Sequence, residues 1–221
     1  VADKALSSIS ITGNATADVP TKGNTTTVNL TATGTYNDAS TGDITTAAAW
    51  TVDPAHTGVS VDKGVVTIAP EAAAGSVTIK AEKDGKSKTH SITLSKAPAK
   101  LASMTISGAD GVAVPPAASS PKEETYTVSG EDQFGAPYAL TPTTVNWSIE
   151  GTAPTGVSIG STDGKLSVTS DAVTGSVTIK ATSGSIPPAT KTVSITKAAS
   201  AVDTVTISDG VATLDVPTVD A

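Results

Sequence analysis

The heptapeptide Gly75-Ser76-Val77-Thr78-Ile79-Lys80-Ala81 recurs letter for letter from Gly175 to Ala181, an offset of 100 residues. Seven identities in register define a repeat, so whatever fold the chain adopts it must build more than once, in units of about that length. Other anchors keep nearly the same spacing: Trp50 to Trp147 is 97, Gly58-Val59-Ser60 to Gly156-Val157-Ser158 is 98, and Gly64 to Gly164 is 100. Gly13 with Val19-Pro20 matches Gly108 with Val114-Pro115 at an offset of 95, and small loop insertions account for the drift. Unit one is placed at residues 1–98 and unit two at 99–198, abutting through the short, stiff stretch Ala97-Pro98-Ala99-Lys100. Val205-Thr206-Ile207-Ser208, followed by Val216-Pro217, opens a third copy over 199–221, so the chain is expected to be a portion of a longer array.

Within each unit apolar and polar residues alternate in short runs separated by turn residues, the pattern of half-buried strands. Unit one offers seven: Ile9-Ser10-Ile11, Val28 to Ala32, Trp50-Thr51-Val52, Val59-Ser60-Val61, Val66-Thr67-Ile68, Val77 to Ala81, and Ile92-Thr93-Leu94. Unit two offers the same seven, around Met104, Val128, Trp147, Val157-Ser158-Ile159, Leu166-Ser167-Val168, Val177-Thr178-Ile179 and Val193-Ser194-Ile195. Thr and Val dominate because β-branched side chains suit a pleated surface. Asp84-Gly85 and Asp163-Gly164 sit where tight turns need positive φ. Helical periodicity is absent, except that Ala69–Ala74 and Thr169–Thr174 admit one turn of helix crossing between sheets. Pro20, Pro115 and Pro217 fall at equivalent places late in the first strand region and are expected to mark a strand that changes sheets. Seven short strands with one Trp on the third predict an all-β chain of tandem immunoglobulin-like β-sandwiches, about seven strands each, without the disulfide.

Composition removes several functions. Of 221 residues 38% are hydrophobic and 3% aromatic, enough for two small cores built from Val, Ile, Leu and Ala rather than one rich pocket. The net charge is −7, and all 14 basic residues are Lys, which argues against a nucleic-acid partner. With no Cys there is no disulfide, thiolate nucleophile or Cys-ligated zinc. No apolar run approaches the roughly 20 residues of a spanning helix, so membrane insertion is not expected.

The stretch Val28 to Thr45, reading VNLTATGTYNDASTGDIT and followed by Trp50, resembles the bacterial immunoglobulin-like group 2 family. Gly64 to Ile68 and Ala74 to Ala81 look like that family's closing hairpin and penultimate strand. Unit two departs, because Gly130-Glu131-Asp132-Gln133-Phe134-Gly135 replaces the Tyr-Asn-Asp type of loop and looks like the Asp-Gln-Tyr-Gly turn of modules in surface-layer and other cell-envelope proteins. The resemblance implies a module exported to the bacterial cell surface. Its partners would be neighbouring immunoglobulin-like domains, copies of the same protein in a surface array, or cell-wall or other polysaccharide.

The residues that carry chemistry are scarce. His56 and His90 are the only histidines, neither repeats in unit two, and both read as surface residues, His90 at the start of the last strand. No Gly-x-Ser-x-Gly elbow is present. Glu123-Glu124 and Glu131-Asp132 are adjacent in sequence, so in strands each pair points to opposite faces and is read as solvated edge charge. The two Trp hold equivalent repeat positions and are assigned to core packing rather than to sugar stacking. Exposed aromatics for a carbohydrate platform reduce to Tyr36, Phe134 and Tyr138.

No catalytic, cofactor-binding or metal residue is therefore assigned, and the chain is read as no enzyme. Calcium is the one cofactor admitted, through the oxygen ligands of Asn37-Asp38 with Asp43, or of Asp132, Asp163 and Asp171. Asn14, Asn24, Asn29 and Asn146 begin Asn-x-Ser/Thr triplets, as a Thr-rich chain produces by composition. Lys83, Lys86 and Lys88 in unit one and Ile186-Pro187-Pro188 in unit two are read as guards against edge-to-edge pairing. The expected role is structural, a spacer module of an exported surface-layer or cell-envelope protein stiffened around Pro98. The alternatives are an accessory region of a secreted polysaccharide hydrolase and an adhesin stalk.

Overall fold

The computed structural model of the chain describes residues 4–140 and 144–197. The third copy inferred over 199–221, with Pro217, lies outside the described residues. Those residues form nineteen strands and no helix, so none of their elements is a helix long and apolar enough to cross a membrane.

Unit one runs β1 (Leu6–Gly13), β2 (Thr16–Asp18), β3 (Thr26–Tyr36), β4 (Thr41–Asp43), β5 (Ala49–Val52), β6 (Val59–Asp62), β7 (Val65–Ile68), β8 (Gly75–Lys83) and β9 (Lys86–Ser95). One sheet has the order β1-β3-β7-β6 with β4 against β3; the other has β2-β9-β8-β5. This is the ABED and GFC pairing of an immunoglobulin sandwich, with β2 as an extra strand running parallel to the last. Alternation decides what each sheet buries. Val28, Leu30 and Ala32 of β3 and Val77, Ile79 and Ala81 of β8 face each other across the core, while the intervening Thr, Asn and Lys face out. Trp50 packs against both halves of that core, and its Nε1–H donates to the Thr45 carbonyl at 2.7 Å.

Unit two repeats the plan with β10 (Leu101–Ser107), β11 (Gly111–Val114), β12 (Lys122–Thr125), β13 (Thr127–Asp132), β14 (Pro137–Tyr138), β15 (Asn146–Ile149), β16 (Val157–Ile159), β17 (Lys165–Val168), β18 (Gly175–Thr182) and β19 (Ala189–Lys197). The long strand β3 of unit one is here broken into β12 and β13 at Tyr126, which is 1% exposed and donates its hydroxyl to the Ala109 carbonyl at 2.9 Å. Gly164, at φ +65°, opens β17 beneath Trp147; a Cβ there would stand 2.6 Å from the Tyr126 carbonyl and 2.8 Å from the indole. The heptapeptides that revealed the repeat are β8 and β18, inner strands of equivalent sheets.

Three expectations are corrected. The strand changes sheets at the gaps Asn14-Ala15 and Gly108 to Asp110, between β1 and β2 and between β10 and β11; Pro20 and Pro115 follow the transferred strand and end it. The segments Ala69–Ala74 and Thr169–Thr174 make tight turns, closed by the Ala72 N–H to Ala69 and the Ala172 N–H to Thr169, without a helix. His90 lies in the middle of β9, not at its start, with Nε2 3.2 Å from the Asn14 carbonyl. Of the expected guards, Lys86 and Lys88 lie on the half of β9 that β2, pairing only with Thr93 to Ser95, does not cover, whereas Lys83 ends the inner strand β8 and Ile186-Pro187-Pro188 lies between β18 and β19.

Candidate functional site at the joint between the units

Polar and apolar groups are built into one joint between the two units, on the turn that follows β13. Asp132 ends that strand with its side chain 7% exposed, and its Oδ1 accepts the backbone N–H of Phe134 at 2.8 Å and of Ala136 at 2.9 Å. The Asp132 N–H donates to the Ala136 carbonyl at 2.8 Å. An aspartate bonding the backbone two residues on is the usual device for fixing a turn, and here it fixes the direction of the next two side chains.

Gln133 clamps the linker. Its Oε1 accepts the Lys100 N–H at 2.6 Å, its Nε2 donates to the Pro98 carbonyl at 2.8 Å, and its own N–H reaches the Lys100 carbonyl at 3.3 Å. On the other side the Gln133 carbonyl accepts the N–H of Lys22, just past β2 of unit one, at 2.8 Å. The Lys22 ammonium also meets Glu131 at 2.6 Å, an exposed pair that adds little by itself.

Phe134 crosses the boundary. It is 7% exposed, and the buried cluster it belongs to is that of unit one: Val19, Val28, Leu30, Val66, Ile68, Ala72, Val77, Ile79, Ile92 and Leu94. Lys96, just beyond β9, places its ammonium 4.5 Å from the centre of the Phe134 ring while donating to the carbonyls of Pro70 and Ala72 at 2.9 Å each. Burying a phenyl ring is worth about 2–3 kcal/mol, and a partly desolvated cation over its face adds about 1–2 kcal/mol. Contacts between domains within one chain are otherwise mobile by default.

Unit one carries the same turn at its own head. The Asn37 N–H donates to the Ala5 carbonyl at 3.0 Å, the Ala5 N–H donates to Asn37 Oδ1 at 3.3 Å, and the Tyr36 N–H donates to the Ser40 carbonyl at 2.9 Å. Those bonds match Gln133 with Lys100 and Asp132 with Ala136, so the tips Asp38-Ala39 and Phe134-Gly135 are equivalent. Only unit two presents an aromatic tip.

No protein-family model matches the chain, and no curated protein matches it in sequence. Solved structures resemble it at the level of tandem β-sandwiches. Mouse cadherin-23 repeats EC22-24 align over 87% of this chain and 63% of theirs, at 12% identity and a TM-score of 0.43. Domains 5-6 of the S-layer protein SbsC align over 89% of this chain and 100% of theirs, at 19% identity and 0.34. A SusE-like surface-located polysaccharide binding protein from Bacteroides thetaiotaomicron aligns over 86% and 34%, at 14% identity and 0.34. The chain thus spans less than two thirds of the length of the cadherin and the polysaccharide binding protein.

The candidates read from the sequence fall elsewhere than expected in two respects. Phe134 is not an exposed aromatic, because unit one buries it. Asp132 is not solvated edge charge, because it serves the turn; its neighbour Glu131 does face out, as strand alternation requires. Glu123 meets Lys165 at 3.2 Å in solvent, whereas Glu124 is half-buried on the face that also carries Tyr126.

The proposed calcium ligands do not converge among the described residues. Asp38, Asp43 and Asp171 each serve their own turn, and hydrogen bonds from Ser40, Thr45 and Thr169 hold their carboxyls below the usual range. Asp163 Oδ1 accepts the Lys165 N–H at 3.1 Å. His56, between β5 and β6, places Nδ1 3.0 Å from the Thr57 carbonyl.

Proposed function

We propose that this chain is a non-catalytic structural module of an exported bacterial surface-layer or cell-envelope protein. It would hold successive immunoglobulin-like sandwiches at a fixed angle and so space what lies on either side. The observation that carries this reading is the joint: a side chain of unit two completes the buried cluster of unit one, while Gln133 ties down the linker between them. A flexible tether needs neither feature, and a repeated unit with a built joint is what a stiff array requires. The resemblance of the Val28 to Thr45 stretch and of the Asp132 to Gly135 turn to bacterial surface modules supports that location.

Mass-spectrometric sequencing of the intact parent chain from envelope and culture-medium fractions tests it. An abundant envelope protein with anchoring repeats is the expected result. A secreted parent with a catalytic domain would overturn it and make these units accessory modules.

A further inference from the structure

The tail of unit two repeats residues of the cluster that buries Phe134 at the tail of unit one, with less cover over them. Position by position, Val19 corresponds to Val114, Ala72 to Ala172 and Lys96 to Lys197. In unit one, with Phe134 in place, Val19 and Ala72 are buried and Lys96 is half-buried. In unit two Val114 and Ala172 are only half-buried and Lys197 is exposed. These three have each lost cover in the same direction, as expected of a site whose plug is missing, whereas the adjoining Val173, 57% exposed, corresponds to Ala73, which is exposed in unit one as well.

One position changes the chemistry. The register Val28 with Val66 in unit one becomes Glu124 with Leu166 in unit two, so Glu124 stands where unit one has a buried valine of the cluster that includes Phe134. Strand alternation turns Glu124 to the same face as Tyr126, inward, where it is half-buried. A carboxylate at the wall of an apolar pocket needs a hydrogen-bond donor from whatever enters, and a phenylalanine brings none.

We propose that the tail of unit two, formed by Val114, Glu124, Ala172, Val173 and Lys197, is a docking site for the turn at the head of another sandwich unit, with a tyrosine at its tip. The ring would lie between Val114 and Ala172, with Val173 at the rim, under the Lys197 ammonium, as Phe134 lies under Lys96, and the phenol would donate to Glu124. Five residues lead from Lys96 to Leu101, and five lead from Lys197 to Val202, where the sequence begins the next repeat, so the chain itself could deliver a unit at this spacing. The proposal rests on the array reading above and adds to it the identity of the contact.

The test is a methyl and amide NMR titration of the 221-residue chain with head-to-tail cyclised peptides of sequence Glu-Asp-Gln-Tyr-Gly-Ala-Pro and Glu-Asp-Gln-Phe-Gly-Ala-Pro. Saturable shifts at Val114, Ala172, Val173 and Lys197, with the tyrosine peptide binding severalfold more tightly, are expected. Glu124→Val, which restores the residue of unit one, should reverse that preference. Shifts confined to other surfaces, or none at this tail, would overturn the proposal, since it assigns recognition to the turn itself. Equal binding of the two peptides would overturn the role of Glu124. Shifts that grow with protein concentration and without peptide would make the occupant a second copy instead. Failure of the array reading would show independently, as a parent chain with a catalytic domain.

Discussion

The Lys96 ammonium stands 4.5 Å from the centre of the Phe134 ring, although the two residues belong to different repeats. Lys96 follows β9 of unit one and is anchored there by two backbone carbonyls; Phe134 arrives on a turn whose direction is set by Asp132. The contact therefore joins two rigid elements, and its strength reports on the angle between the units.

Phe134→Ala should weaken unit one, the unit it does not belong to in sequence. Removing a buried phenyl group costs about 3–5 kcal/mol when the site cannot collapse. Hydrogen exchange of Leu30, Ile68 and Ile79 amides should accelerate while Ile179 and Val193 of unit two hold their protection. Unchanged exchange in unit one would mean that the ring contributes nothing to that core.

Gln133→Ala should loosen the joint more than Pro98→Gly. Gln133 supplies both side-chain bonds to the linker, whereas Pro98 contributes a carbonyl, which glycine keeps, and a locked φ at one residue, which glycine loses. Small-angle scattering should show a broader distribution of maximum dimension for Gln133→Ala and a nearly native one for Pro98→Gly. The reverse order would return the stiffness to the proline.

Raising the salt concentration should leave the joint closed. The exposed Lys22–Glu131 pair is screened, but the buried ring and the Gln133 clamp are not. Residual dipolar couplings that keep one common alignment for both units at high salt are expected; separate alignments would assign the joint to the ion pair.

Tyr126 should make unit two sensitive to alkali. Burial first, then Glu124 and Asp110, push its phenol up to about 12 from 10. A raised acid favours the neutral form in the folded state, so this contribution is intact below pH 10 and is lost as pH rises toward about 12. Tyr126→Phe should lower stability at neutral pH by about 1 kcal/mol through the lost bond to Ala109 and flatten the alkaline decline, as circular dichroism melts across that range would show.

Gly164→Ala should cost about 2–3 kcal/mol, because strained backbone and contact with Trp147 add together. Gly85→Ala, at φ +73° with nothing within 4 Å of its Cβ, should cost about 1 kcal/mol. Equal costs in denaturant unfolding would mean that both the Tyr126 carbonyl and the Trp147 indole give way without strain.

The sandwich was legible because its signal is local. Val77, Ile79 and Ala81 alternate with polar neighbours whatever lies around them, and the equivalence of Trp50 and Trp147 follows from counting. The short strands β2 and β4 escaped because a three-residue strand with both faces largely exposed has no alternation to detect. The joint escaped for a different reason. Phe134 is buried by another unit, and periodicity along one segment does not encode cover that comes from elsewhere. One signal was available: the chain's single Phe stands on a polar turn at a position where the other repeat has Asp38.

The parallel pairing of β2 with β9 has a mechanical consequence. The chain enters a unit through β1 and β2 and leaves it through β9, and Thr16, Ala17 and Asp18 lie alongside Thr93, Leu94 and Ser95 in the same direction. Tension applied along the chain pulls these two strands past each other, so their hydrogen bonds are loaded together rather than opened one after another from an end. Gly111 to Val114 beside Ser194 to Lys197 gives unit two the same arrangement, and a run of such units would resist stretching at every link by shear.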